Sequence, residues 1–82
     1  MFVRSKIVNN AVKLLGYLID NDAMAGRGIK LQQIFDTVGL AEKEFDSTDT
    51  YLLQQKCVEG TMGGMAGSRW LTAGGADYYG KK

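Results

Sequence analysis

At 82 residues, 45% of them hydrophobic and 23% charged, the chain has the make-up of one small globular domain, residues 1–82, built on a thin core. One cysteine and no histidine exclude an internal disulfide, a Cys/His zinc site and any catalytic triad that needs imidazole. The net charge of +1 hides a division: residues 1–39 carry five basic and three acidic groups, residues 40–60 two and five, and residues 61–82 three and one, so an acidic middle lies between mildly basic flanks.

The longest unbroken apolar runs are two or three residues, too short to span a bilayer. Met1–Lys6 lacks the hydrophobic stretch and cleavage site of a signal peptide, so a cytoplasmic location is expected, and a free Cys57 suits a reducing compartment.

Ser5 to Asp20 carries the clearest helical pattern. Ile7, Val8, Ala11, Val12, Leu14, Leu15, Leu18 and Ile19 fill an arc of roughly 160°, with polar residues on the remainder. Ser5 is the expected N-cap. The arc is wider than the ~100° stripe of an ordinary surface helix. It fits a central core helix touched on two sides, or a helix that gives part of its face, within residues 7–19, to a second copy of the chain.

Asn21 to Gly28 reads as a loop, and its Gly26-Arg27-Gly28 lacks the third glycine and the preceding strand of a nucleotide-binding fingerprint. Ile29-Lys30 reads as a short strand. Leu31 to Val38 follows as a second helix with Leu31, Ile34, Phe35 and Val38 on one side and Gly39 placed to end it. The third helix runs from about Ala41 to Lys56, with Phe45, Thr48 and Leu52 inward and Tyr51 and Leu53 at the edges. Asp49 falls near the inner edge and is assigned to the rim, because an unpaired carboxylate in the core is costly.

Cys57-Val58-Glu59 and Ser68-Arg69-Trp70-Leu71 form a β-hairpin around the glycine-rich stretch 60–67. Cys57 reads as a small core residue. Trp70 is placed in the core, anchoring the hairpin to the helices, with an exposed binding anchor as the alternative. Thr72 caps a last short helix, Ala73 to Tyr79, weakened by Gly74 and Gly75. One of the rings of Tyr78 and Tyr79 is expected on the hairpin and the other at the surface.

Helix, short strand, helix, helix, hairpin, helix is an order that resembles the winged helix-turn-helix family. Phe45, Tyr51-Leu52 and Cys57-Val58 look like the end of a recognition helix running into the first wing strand. Trp70-Leu71-Thr72, then Gly75 and Tyr78-Tyr79, is similar to the hydrophobic-Thr-x-x-Gly-x-x-aromatic pattern that closes many small prokaryotic regulators. Leu31 to Val38 with Gly39 and Leu40 resembles the second helix and its turn. The resemblance covers residues 5–80 and implies an α+β fold: a three-helix core, a two-stranded β-hairpin wing and a short C-terminal helix. Two positions depart from the pattern. Lys56 stands where glycine is usual, which predicts a less sharp corner, and Asp49 stands where an apolar residue is usual.

The resemblance also implies a transcriptional regulator that binds double-stranded DNA, with the third helix in the major groove and the wing against an adjacent groove or phosphates. The outward face of that helix holds Lys43, Asp46, Ser47, Thr50 and Gln54 as base-reading candidates. Arg27, Lys30, Arg69, Lys81 and Lys82 are the phosphate candidates. Against this, Glu42, Glu44, Asp46 and Asp49 surround the same helix, and affinity for DNA comes largely from cations at phosphates. One copy is expected to bind weakly, and a homodimer through the first helix would double its contacts on a palindrome.

The alternative is a winged-helix protein-interaction module with no nucleic acid, its acidic third helix meeting a basic partner segment. Met24, Met62 and Met65 would serve it as adaptable apolar contacts. Glu42, Asp46 and Asp49, at i, i+4 and i+7, share one helical side as ligands of a hard cation would, but no other element adds ligands, and a solvated acidic rim is expected. Asp20-Asn21-Asp22 lacks the spaced glycine and distal glutamate of a calcium loop, and the hairpin lacks the Gly-Lys-Ser/Thr of a phosphate loop. No metal, cofactor or enzymatic activity is expected.

Overall fold

The computed structural model describes residues 4–24, 26–61 and 67–81. Along these residues the chain forms α1 (Arg4–Asp20), β1 (Ile29–Lys30), α2 (Leu31–Val38), α3 (Glu42–Gln54), β2 (Val58–Gly60), β3 (Ser68–Leu71) and α4 (Ala73–Gly80). This is the winged-helix order. The hairpin of β2 and β3 gains a third strand, since β1 pairs antiparallel with the other side of β3 to give the order β1-β3-β2. Val58 stands opposite Leu71, Glu59 opposite Trp70, and Gly60 and Ile29 both flank Arg69. Gly63 and Gly64, with Met62 and Met65 of the expected wing tip, lie outside the described residues, as does Lys82.

The wide apolar arc of α1 is used within the domain. Ile7, Ala11, Leu14, Leu15 and Leu18 are buried, and the helix touches α2, α3, α4 and β3. Val8, Val12 and Ile19, at the margins of the arc, remain half-buried. Ser5 lies inside the first turn rather than capping it, because the helix already includes Arg4. From α2 and α3, Leu31, Ile34, Phe45 and Leu52 close the core, with Phe35 and Phe45 meeting edge to face at 5.2 Å between ring centres. Cys57 is buried as expected, and desolvation pushes its thiol pKa up.

The corners that aim α3 are set by the backbone. At the end of α1, the Ala23 N–H donates to the Leu18 carbonyl (2.9 Å) and the Asp22 N–H to that of Ile19 (3.1 Å), with Asp22 left-handed at φ 51°. α3 ends the same way: Cys57 N–H donates to the Leu52 carbonyl (2.9 Å), Lys56 N–H to that of Leu53 (3.1 Å), and Lys56 takes φ 58°. This bond pair, with a left-handed residue between, is the Schellman ending normally served by glycine. The corner is therefore as sharp with lysine as a glycine would make it, contrary to the sequence expectation. It also ends α3 at Gln54, short of the expected Lys56.

β3 passes into α4 against this corner. The Thr72 hydroxyl donates to the Lys56 carbonyl (2.6 Å) and accepts from the Gly75 N–H (3.0 Å), so one side chain caps α4 and holds it to the end of α3. Gly75 is obligatory here, because a Cβ on it would collide with the Cys57 carbonyl. Tyr78 packs edge-on to Tyr51 of α3, their hydroxyls 3.3 Å apart, and against the core; the ring of Tyr79 lies over Gly16 of α1 and stays exposed.

A left-handed non-glycine residue costs about 1 kcal/mol. Replacing Lys56 with glycine is expected to recover that amount, raising the thermal midpoint by about 4–8 °C in a domain of this size. Thermal melting followed by circular dichroism checks this, and an unchanged or lower midpoint would mean that Lys56 carries no such strain.

Candidate nucleic-acid interface

α3 buries Phe45, Thr48, Asp49 and Leu52. Its opposite side bears Lys43, Asp46, Ser47, Thr50 and Gln54, all exposed, within an arc of about 100° at the helical repeat. The structure thus brings the five base-reading candidates together on one face. They offer the donor and acceptor groups that base edges require: an amide from Gln54, hydroxyls from Ser47 and Thr50, an ammonium from Lys43 and a carboxylate from Asp46.

The acidic residues around this helix do not act as one cluster. Asp49 is only 7% exposed, and its carboxylate is held by Arg69, whose Nε donates to Oδ1 and Nη2 to Oδ2, each at 2.9 Å. Glu44 is ion-paired with Lys6 of α1, which lowers the pKa of its carboxyl from the ordinary value against the opposing effect of desolvation. Glu42 and Asp46 remain exposed. Because Asp49 is turned inward and paired, the carboxylates at i, i+4 and i+7 do not converge on a cation site, and Asp49 is not part of the rim.

Arg69 is therefore corrected as a phosphate contact: it is 4% exposed and its guanidinium is spent inside the protein. Besides Asp49, Nη1 donates to the carbonyls of Thr61 (3.0 Å) and Ser68 (2.9 Å). Opposite it, a Cβ on Gly60 would collide first with the Ser68 carbonyl and then press on Nη1 and Cδ of Arg69. The other phosphate candidates are at the surface. Arg27 is exposed in the loop before β1, and Lys30 is exposed on β1 opposite Ser68 at the base of the wing. Lys81 is paired with Asp77 at 3.0 Å and lines a groove with Lys6, Asn9, Val12 and Lys13 of α1. Sequence reasoning assigned nothing to Lys6 and Lys13, although their i, i+7 spacing puts them on one side of α1.

Trp70 is corrected as well. In β3 the buried positions are Arg69 and Leu71, so Trp70 lies on the other face of the sheet, half-buried, opposite Glu59. A Cβ on Gly28 would come within 3.1 Å of its ring, so that glycine provides the room for it. With Leu53, Lys56, Val58, Glu59 and Gly60 it lines a shallow groove beside the C-terminal end of α3. Met24 is 56% exposed in the loop after α1.

TubR from Bacillus megaterium pBM400 is similar to this chain in structure, with a TM-score of 0.77 and 26% sequence identity over 84% of this chain and 78% of that one. No protein-family model matches the chain, and no curated protein does. The chain has the winged-helix fold. Among the described residues no helix is long and apolar enough to cross a membrane.

Truncating one partner of a buried ion pair leaves the other charge uncompensated. Arg69→Ala is accordingly expected to lower the free energy of unfolding by about 3–5 kcal/mol. Urea denaturation reads the loss. An Arg69→Ala protein that keeps its stability and loses only affinity for DNA would return this side chain to the surface.

Proposed function

We propose that the chain is a DNA-binding regulator of the winged-helix type, acting on transcription, that sets α3 in the major groove and the hairpin against the flanking backbone. The observation that carries this reading is the outward face of α3. Five polar side chains suited to base edges stand exposed there, on a helix whose other side is fixed in the core. The fold shared with TubR supports the same reading. The internal pairing of Asp49 and the ion pair of Glu44 with Lys6 halve the acidic charge that would oppose a phosphate backbone.

Arg27 and Lys30 are the phosphate contacts of this arrangement near the wing, with Lys81 and Lys82 as contacts at the end of the chain. So few cations give a single copy modest affinity, because each phosphate neutralised releases about one counterion. The proposed unit is a homodimer on a palindromic site, joined through the part of α1 that the core leaves half-buried, Val8 and Val12.

The test is fluorescence anisotropy of labelled duplexes at about 50 and 200 mM salt. Binding that falls steeply with salt is expected. Arg27→Ala and Lys30→Ala should weaken all sequences alike, each lowering the salt slope by about 1. Gln54→Ala should instead alter the preference for one base pair, by about 1–3 kcal/mol. No binding at low salt would overturn the proposal, and Glu42 and Asp46 would then favour a basic protein segment as the partner of α3.

A further inference from the structure

We infer that Arg69 and Asp49 are positioning residues for the DNA-contacting surface: their buried, two-pronged contact locks the rotation of α3 and the base of the wing into one body. This inference rests on the DNA-binding reading for its functional consequence, but its mechanical content stands on the contacts themselves.

Asp49 comes from the middle of α3, directly before Thr50 and one turn after Asp46. Holding its two carboxylate oxygens at 2.9 Å fixes the turn of α3 about its own axis, and with it the direction of the outward face. The same guanidinium binds the carbonyls of Thr61 and Ser68, the residues at which the two strands pass into the wing tip. Between those residues the Ser68 N–H donates to the Thr61 hydroxyl (3.2 Å) and the Thr61 N–H to the Ser68 carbonyl (3.3 Å). One side chain therefore joins the helix that faces bases to the neck of the hairpin that faces phosphates.

Stability alone does not call for this device. A packed apolar pair of similar volume commonly holds a core as well as a buried ion pair does. A planar fork meeting a carboxylate fixes orientation as well as distance, which an apolar contact does not.

The test is the double variant Arg69→Met with Asp49→Leu, and Asp49→Asn as the milder variant should the double one fail to fold. Residual dipolar couplings give the orientation of residues 42–54 relative to residues 58–61 and 68–71. In the wild type one alignment tensor should fit both groups. In the variant, with cooperative unfolding retained, two should be needed. Affinity for a bound duplex should fall about tenfold, within the range of indirect coupling, while the salt slope stays as it was. One tensor and unchanged affinity in the variant would overturn the inference, and so would a reduced salt slope, which would mark Arg69 as a phosphate contact. A wild type that binds no duplex, beside a variant that needs two tensors, would overturn the DNA reading and uphold the locking of helix to hairpin.

Discussion

Arg69 leaves β3 toward the interior, passes over Gly60 and meets Asp49 in the middle of α3, so that helix and hairpin share one charged, hydrogen-bonded contact within the domain. Two charges out of water are tolerated only when their hydrogen-bonding capacity is met. Here both carboxylate oxygens are taken by Arg69, and its Nη1 donates to the carbonyls of Thr61 and Ser68. The inward turn of Asp49 follows from that requirement. The geometry of the surface that α3 shows to solvent is in turn a consequence of what lies behind it.

The ends of α3 add a second layer of constraint. Gly39, at φ 76°, ends α2 and starts the turn into α3. Lys56, at φ 58°, turns the chain from α3 into β2. The Lys56 carbonyl then accepts from Thr72, and the Cys57 carbonyl from the Thr72 N–H (3.2 Å), so the corner after α3 is also the seat of α4. A lysine can occupy that corner because two backbone bonds and the Thr72 hydroxyl outweigh the local preference against a left-handed side chain. This is why the corner did not open where the sequence pattern lost its glycine.

Much of the fold was legible in the sequence because it is written in local periodicity. The arc of α1, Gly39 after α2, the Thr72 cap and the two hairpin strands each have a signal within one element. Arg69 and Trp70 were misplaced because two signals conflict in β3. Bulk and aromaticity argue Trp70 inward, but successive residues of a strand face opposite ways. Leu71 belongs to the core, so Arg69 must share its face and Trp70 cannot. That alternation, joined to an aspartate at an inner position of α3, was the available sign of a buried pair. Neither residue shows it alone, since each is costly inside without the other and the two are 20 positions apart. The outward face of α3 was legible for the reverse reason, as the complement of its inner side.

The same pair changes the electrostatic argument about partners. Counted along the chain, Asp49 burdens α3 with an acid and Arg69 credits the wing with a cation, yet inside the protein the two are buried against each other. Removing both leaves the approach to α3 less acidic and the wing less basic than the sequence implies. Cations at the base of the wing then come from Arg27 and Lys30 on the β1 side. On the proposed reading, an anionic duplex would be met by few charges and by an outward face on which Ser47, Thr50 and Gln54 are neutral hydrogen-bonding groups. On that DNA-binding reading, with a small counterion contribution, discrimination between sequences would rest on how accurately Ser47, Thr50 and Gln54 are aimed. The orientation of α3 would then matter more than the count of lysines, and an arginine that fixes it would serve the proposed recognition from inside the protein.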